Sequence, residues 1–270
     1  MKRRQLLPWL MLTATISLGA IACGQPSRSN PAAATPPSGD AINLTVSAAA
    51  SVQDVMHDIQ VAYADVAPEI VITYNFGASG SLAQQIIQGA PSDVFLSASD
   101  TWMTDLESQG QILADSRKDL LQNEIVLVTP KADTTLADFT DLGQASIGKV
   151  AMGEPASVPA GQYAKDVLTA LNLFDELRPN LVFAKDVRQV LTYVETGNVD
   201  AGLVYGTDAQ RSNRVQVVAT APANTHAPII YPVAVVRGSD QTEAAQAFVD
   251  FLSSDTAIAL FQGYGFDRVE

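Results

Sequence analysis

The sequence predicts an α/β fold of two lobes joined by a hinge. Strand-like and helix-like segments alternate from Ile42 onward, which is typical of βαβ units and mostly parallel sheets. The alternation forms two series, and the switch between them falls near Asn123 to Pro130. The chain has 270 residues, enough beyond an N-terminal leader for two lobes of roughly 100 residues, each with its own core.

The first series predicts the first lobe, residues 41–123. Ser51–Val66 carries its apolar residues at helical spacing and follows a predicted strand. The predicted strands are Ile42–Ser47, Ile70–Tyr74 and Asp93–Leu96, and the predicted helices after Ser51–Val66 are Ser81–Gly89 and Asp100–Gln109.

The second series predicts the second lobe, residues 124–229, and the chain then returns to the first lobe over residues 230–270. If the strand Ile230–Val236 returns in this way, two strands cross between the lobes and form the hinge. The strands of the second lobe are Glu124–Thr129, Ile147–Met152, Leu181–Phe183, Ala201–Tyr205 and Val215–Ala219, its helices are Ala160–Leu171 and Val187–Glu195, and the returning segment ends in helices Glu243–Leu252 and Thr256–Gln262.

Residues 1–22 are typical of an export signal. A basic start at Lys2-Arg3-Arg4 precedes an apolar run from Leu6 to Ala22, which is short for a membrane span. A retained signal anchor is the alternative, and the Arg3-Arg4 pair leaves twin-arginine export open beside the general route.

Cys23 is the one cysteine of the chain, so no intramolecular disulfide can form. Ala20-Ile21-Ala22-Cys23 resembles the bacterial lipobox, although that pattern prefers Leu where Ala20 stands. The resemblance implies lipid attachment at Cys23. Residues 23–40 are rich in Pro, Ser and Ala and predict a disordered linker. We therefore expect a periplasmic or extracytoplasmic protein that its lipidated cysteine tethers to the membrane.

The formal net charge of −13 argues against nucleic acid or an anionic membrane surface as a partner. Nevertheless, three predicted helix starts combine small residues with backbone N–H groups that have no partner inside the helix: Ala48–Ser51, Gly77–Ser81 and Val158–Gly161. A helix N-terminus attracts anions through these donors and its positive dipole end. Several such termini at one point predict a binding site for an oxyanion.

Together these segments resemble the periplasmic molybdate-binding protein of ABC importers, over roughly Leu44 to Phe266. The resemblance rests on motifs whose order and spacing also fit. They are Ala-Ala-Ala-Ser at 48–51, Ala-Ser-Gly-Ser-Leu-Ala-Gln-Gln-Ile at 78–86, Gly-Ala-Pro-Ser-Asp-Val-Phe-Leu-Ser-Ala at 89–98, Val-Pro-Ala-Gly-Gln-Tyr-Ala-Lys at 158–165, Asp-Val-Arg at 186–188, Val-Tyr-Gly-Thr-Asp at 204–208 and Tyr-Pro-Val-Ala-Val-Val at 231–236.

The resemblance implies a two-lobed periplasmic-binding-protein fold that closes on its ligand like a flytrap. It implies hydroxyl and N–H donors at Ser51 and Ser79, backbone N–H donors at Ala160 and Val187, and the hydroxyl of Tyr205. The implied ligand is molybdate, with tungstate expected to bind as well, and molybdenum enters only as the oxyanion. The implied partners are an ABC permease and its cytoplasmic ATPase. We expect no cofactor, no catalysis, no nucleic acid, and a monomer.

Other ligands and functions remain open at this point. Sulfate is the main rival because it too is a dianion without a proton; phosphate and organic acids are further candidates for the same fold. A serine hydrolase would need His57 or His226 beside Ser51 or Ser79, and the chain has no Gly-x-Ser-x-Gly elbow. A structural lipoprotein with an empty cleft is a third alternative. For Arg188 we predict a structural ion pair with Asp186 or another acid.

Overall fold

The computed structural model describes residues 41–132, 136–144 and 146–269. The predicted signal peptide of residues 1–22, the lipid attachment at Cys23 and the linker up to residue 40 lie outside the described residues. Within the described ranges, no helix combines the length and the apolar character that crossing a bilayer requires.

The described residues form two β-sheets with helices packed against them. In chain order the elements are β1 (Ile42–Ala49), α1 (Gln53–Ala64), β2 (Ile70–Gly77), α2 (Ser79–Ile87), β3 (Val94–Leu96), α3 (Asp100–Ser108), β4 (Lys118–Asn123), β5 (Ile125–Pro130), β6 (Val150–Gly153), α4 (Pro159–Ala170), α5 (Phe174–Leu177), β7 (Leu181–Ala184), α6 (Val187–Glu195), β8 (Ala201–Tyr205), α7 (Gly206–Gln210), β9 (Val215–Thr220), β10 (Ile229–Val235), α8 (Thr242–Leu252), α9 (Asp255–Gly263) and β11 (Asp267–Arg268).

Each sheet is the centre of one lobe. The first lobe has the six-stranded order β11-β4-β10-β3-β1-β2, and the second has the five-stranded order β7-β6-β8-β5-β9. Helices α1, α2, α3, α8 and α9 pack on the first lobe, and α4, α6 and α7 pack on the second. The predicted two-lobed α/β architecture is confirmed.

The chain passes from one sheet to the other between adjacent strands. It leaves the first sheet at β4 and enters the second at β5 one residue later, then returns between β9 and β10. The returning strand β10 lies between β3 and β4, antiparallel to both. In the second sheet, β5 is antiparallel to β8 and β9.

The expectation of mostly parallel sheets is therefore wrong. Parallel pairing is limited to β1 with β2 and β3, and to β6 with β7 and β8, among the described strands. These strands are joined by helical crossovers, which parallel pairing requires. Every antiparallel pair among these strands includes β4, β5 or β10, which are strands next to the two crossings between the sheets.

Most predicted helices and strands are present with shifted ends. The bounds Val187–Glu195 and Ala201–Tyr205 agree with the sequence prediction. In α6, Val187, Val190 and Val194 are buried at helical spacing, which explains why this helix could be predicted from the sequence. Four short elements were not predicted: β4, α5, α7 and β11.

Candidate functional site

The five predicted ligand residues line one small cavity between the two sheets. All five lie at or shortly after the carboxyl ends of strands, where open α/β sheets place their ligands. The lining residues are Ala49, Ala50, Ser51, Gly77, Ala78, Ser79, Ala98, Val158, Pro159, Ala160, Asp186, Val187 and Tyr205. Among the described residues, no Lys or Arg lines this cavity.

Ser51 follows β1 in a 3-10 turn formed by Ala50–Val52, and it is 4% exposed. Its side chain does not cap a helix, which is the ordinary role of a serine at this place. Instead, its Oγ lies 3.0 Å from the hydroxyl of Tyr231 on β10. The hydroxyl of Ser51 is therefore held from behind by the first lobe while the residue lines the cavity.

Ser79 is the first residue of α2 and is fully buried. The backbone N–H of Ala98 donates to its Oγ at 2.9 Å. The residue before it, Ala78, makes no side-chain cap, so the first turn of α2 keeps N–H groups that its own helix cannot pair. Ser79 thus supplies a hydroxyl and a helix N-terminus at the same point.

The second lobe contributes two backbone donors beside the side chain of Tyr205. Ala160 lies in the first turn of α4, where Val158 makes no side-chain cap, and it is fully buried. Val187 opens α6, whose cap Asp186 accepts from the N–H of Gln189 at 2.8 Å. The N–H groups of Ala160 and Val187 have no acceptor within the part of the chain that the structure describes. Donors in this position can bind an anion.

Tyr205 ends β8 and is 1% exposed. Its hydroxyl donates to the carbonyl oxygen of Ala98 in the first lobe across 3.4 Å, a long and therefore weak hydrogen bond. Burial raises the pKa of Tyr205 well above its usual range, and the nearby Tyr231 adds to the rise. The phenol therefore keeps its proton at neutral pH and can donate it to a ligand.

Arg188 joins the two lobes beside the cavity. Its guanidinium reaches the Asp54 carboxylate of α1 at 3.0 Å, the Asp208 carboxylate of α7 at 2.8 Å, and the carbonyl oxygen of Ser51 at 3.2 Å. The predicted structural ion pair exists, but its partners are Asp54 and Asp208, because Asp186 caps its own helix. Because of these contacts, the positive charge of Arg188 is paired with carboxylates outside the cavity.

Asp208 is fully buried. Burial raises the pKa of its carboxyl to about 7, although Arg188 acts in the opposite direction.

A second contact between lobes is the hydrogen bond from the N–H of Gly80 to the carbonyl oxygen of Ser157 at 3.0 Å. The described conformation is therefore held closed on both sides of the cavity.

His57 and His226 contact aromatic side chains rather than Ser51 or Ser79. The ring of His57 packs edge-on against Tyr74 and Phe76, with centroids 6.0 and 5.9 Å apart. His226 lies against Tyr163 with centroids 6.0 Å apart. Because the serine hydroxyls pair with Tyr231 and with the Ala98 N–H, this geometry does not favour a hydrolase.

Sequence reasoning missed the residues behind the serines. Tyr231 begins the segment Tyr-Pro-Val-Ala-Val-Val that carried part of the family resemblance, yet no role was assigned to it. Asn123, which donates to Tyr231 across 3.2 Å, and Ala98 were missed as well. The partners of Tyr231 lie more than a hundred residues away in the chain, so no local pattern could have identified its role.

A model of bacterial extracellular solute-binding proteins matches residues 44–267. The putative ABC transporter substrate-binding lipoprotein YvgL of Bacillus subtilis is 46% identical over 226 residues, covering 83% of this chain and 86% of YvgL. The molybdate-binding protein ModA of Escherichia coli is 40% identical over 229 residues, covering 83% of this chain and 88% of that protein.

Solved structures agree. The substrate-binding domain of a putative molybdenum ABC transporter from Clostridium difficile has a TM-score of 0.67 and 43% identity, covering 85% of this chain and all of that one. The Azotobacter vinelandii periplasmic molybdate-binding protein has a TM-score of 0.76 at 24% identity, covering 84% of this chain and all of that one, and at this identity it shows the fold alone. The relatives are solute-binding proteins and not enzymes. This chain therefore belongs to the bacterial extracellular solute-binding proteins and, within them, to the molybdate-binding protein family of ABC transporters.

Proposed function

We propose that this protein captures molybdate, and also tungstate, between its two lobes and delivers it to an ABC importer. One observation carries the proposal: Ser51, Ser79, Ala160, Val187 and Tyr205, each of which offers a hydrogen-bond donor, all line one cavity. Names of relatives at 38% and 40% identity give the same ligand for those proteins.

The chemistry of the cavity fits a tetrahedral dianion. Such an anion has four oxygens that accept hydrogen bonds and no proton to donate, so a site of donors satisfies it. Hydrogen phosphate would also need an acceptor. The carboxylate of Asp186 in the lining is engaged with the N–H of Gln189. Each charge-assisted hydrogen bond contributes about 1.5–3 kcal/mol, so removal of one donor weakens binding about tenfold to a hundredfold.

Sulfate is the second candidate ligand. It shares the charge and shape of molybdate and likewise carries no proton. The sulfate-binding protein SubI of Mycobacterium tuberculosis has the same fold, with a TM-score of 0.74 at 18% identity. The size of the closed cavity must separate the two anions, and a competition experiment measures this directly.

Delivery requires lobes that separate and close. We assign residues 41–123 and 230–270 to the first lobe and residues 124–229 to the second, which agrees with the membership of the strands in the two sheets. A permease that recognises surfaces of both lobes would select the closed form. A lipid anchor at Cys23 would keep this monomeric protein at the outer face of the membrane, and the relative YvgL is named a lipoprotein. The protein itself catalyses no reaction.

The test is a calorimetric titration of the full chain with molybdate, followed by tungstate, sulfate and phosphate in competition. We expect tight binding of molybdate and tungstate and weak binding of sulfate and phosphate. Equal affinity for sulfate and molybdate would mean that the site binds tetrahedral dianions in general and not molybdate in particular. Absence of binding for all four anions would contradict the proposal.

A further inference from the structure

Ser51 is the last member of a chain of hydrogen bonds that begins where β4 meets β5. The N–H of Glu124 donates to Oδ1 of Asn123 at 2.9 Å. Nδ2 of Asn123 donates to the hydroxyl of Tyr231 at 3.2 Å and to Oγ1 of Thr207 at 2.9 Å. Because Oδ1 already accepts from a backbone N–H, the orientation of the Asn123 amide is fixed with its donors toward Tyr231.

The direction of the next hydrogen bond follows from this orientation. An amide nitrogen can only donate, so the hydroxyl oxygen of Tyr231 accepts from Asn123. Tyr231 and Ser51 lie 3.0 Å apart. If Tyr231 donates to Oγ of Ser51, its buried hydroxyl hydrogen is paired. In the opposite arrangement that hydrogen must turn from the 3.0 Å contact with Ser51 to the neighbouring hydroxyl of Tyr205, and the closer contact favours Ser51 as its acceptor.

Tyr231 retains this hydrogen across the physiological range. The side chain is fully buried between β3 and β4. Burial raises the pKa of its phenol far above the usual range, and the nearby Asp208 adds to the rise. The phenol therefore keeps the hydrogen that it can donate to Ser51.

We propose that Asn123 and Tyr231 are positioning residues that hold the Ser51 hydroxyl as a donor toward the cavity, so that the site prefers an oxyanion without a proton. The proposal rests on the proposed function. A donor aimed at Oγ fills one of its lone pairs and turns the serine's own hydrogen away from Tyr231, toward the cavity. Ser79 is held in the same way by the N–H of Ala98.

Asn123 also connects this relay to the second lobe. It is the last residue of β4, at the crossing between the two sheets, and its partner Thr207 belongs to α7. The direction of the Ser51 hydroxyl is thus set by the strand crossing rather than by the loop in which Ser51 lies. Asn123 and Tyr231 touch no ligand in this scheme; they act through Ser51.

A double-mutant cycle tests the relay. Molybdate affinity of the full chain is measured by calorimetry for Tyr231→Phe alone, with Ser51→Ala and with Ser79→Ala. We expect Tyr231→Phe to weaken binding about tenfold in the wild-type and Ser79→Ala backgrounds and to have almost no effect in the Ser51→Ala background. Tyr74→Phe is the matched control, because it removes a phenol that donates to the carbonyl oxygen of Met56 at 2.9 Å away from the cavity.

The outcomes separate a positioning role from a structural one. An equal loss in the Ser51→Ala background, or no loss beyond that of Tyr74→Phe, overturns the proposal. Competition with phosphate tests the preference for a proton-free anion, since the free lone pair of Ser51 in Tyr231→Phe can accept from hydrogen phosphate. We expect the preference for molybdate over phosphate to fall about tenfold; an unchanged preference overturns that part.

The same measurements distinguish the relay from the proposed function. If the wild-type chain binds sulfate but not molybdate, the proposed ligand is wrong, and the cycle is run with sulfate, for which the same coupling is expected. If the wild-type chain binds neither anion, both proposals are overturned. The free energy of unfolding without anion is measured for each variant, and the cycle uses only variants that retain the wild-type fold.

Discussion

The two walls of the cavity supply hydrogen-bond donors in different ways. The first lobe presents the hydroxyls of Ser51 and Ser79, and a further hydrogen-bonding group contacts each from behind. The second lobe presents the N–H groups of Ala160 and Val187 at helix starts, where the side chains carry no polar atom, and Tyr205 is its side-chain donor among the five. The serine donors of the first wall therefore depend on which residue type occupies each position, whereas the N–H donors of the second wall depend on where α4 and α6 begin.

This difference predicts different responses to substitution. A side-chain donor is lost when its residue is replaced by alanine, but a backbone donor survives any replacement except proline. Ser51 and Ser79 in the first wall should therefore be sensitive to ordinary substitutions, whereas Ala160 and Val187 in the second should tolerate them.

The largest effect is expected at Ser79. Ser79→Ala removes a cavity donor and leaves the buried N–H of Ala98 without its acceptor, so molybdate affinity should fall about a hundredfold. Ser81→Ala on the exposed face of the same helix is the control. Calorimetry measures the molybdate affinity of both variants. A loss of affinity of less than about threefold in Ser79→Ala would show that binding at the first wall does not depend on this hydroxyl.

Val187 offers the converse test on the second wall. Val187→Pro removes the N–H at the first position of α6, a position that accepts proline, and the preceding Asp186 is extended as proline requires. We expect affinity to fall about tenfold to a hundredfold. Val187→Ala keeps the N–H and should change affinity less than about threefold. If both variants lose affinity equally, the side chain rather than the backbone donor matters.

Arg188 sharpens the comparison because it connects the two walls. Arg188→Gln loses the contacts with Asp54 and with the carbonyl oxygen of Ser51, so the closed form is less stable and molybdate affinity should fall about tenfold. Arg237→Gln is the control, because Arg237 donates to carbonyl oxygens within the first lobe. Equal affinities for the two variants would show that Arg188 does not contribute to closure.

The last prediction concerns the pH dependence of stability rather than anion affinity. Burial raises the pKa of Asp208 from 3.8 to about 7, so the folded state binds a proton more tightly than the unfolded chain does. The stabilising contribution of this group is present below about pH 4 and is lost as the pH rises through about 7. Asp208→Asn should remove this slope from the free energy of unfolding, measured with urea between about pH 4 and pH 8. The exposed Asp240→Asn should keep the wild-type slope.

The sequence predicted the cavity better than it predicted the sheets. Small residues before amphipathic helices are local signals that indicated three anion-binding helix starts, and the family resemblance supplied the five predicted ligand residues, all of which line the cavity. Strand β4, in contrast, was missed because Lys118-Asp119-Leu-Leu-Gln-Asn has only two buried residues at its centre. The antiparallel pairing of β10 could not be predicted either, since its partners β3 and β4 lie more than a hundred residues earlier in the chain.

The relay behind Ser51 was beyond local patterns for the same reason. Tyr231 lies 180 residues from Ser51 and 108 from Asn123. Neither residue type indicates a ligand site by itself, because buried tyrosines and asparagines at strand ends are common. Tyr231 reaches Ser51 because the second crossing between the sheets returns the chain to the first sheet as β10. This contact cannot be read from the sequence.

The closed cavity also determines how quickly an anion is exchanged. Ser79 and Ala160 are fully buried, and the hydrogen bond from Gly80 to Ser157 lies between the walls. An anion inside can leave only when the lobes separate, so its residence time is at least the waiting time for that opening, which for lobe motions is on the order of microseconds to milliseconds or longer. A permease that pulls the lobes apart would therefore shorten this residence time and control the moment of release.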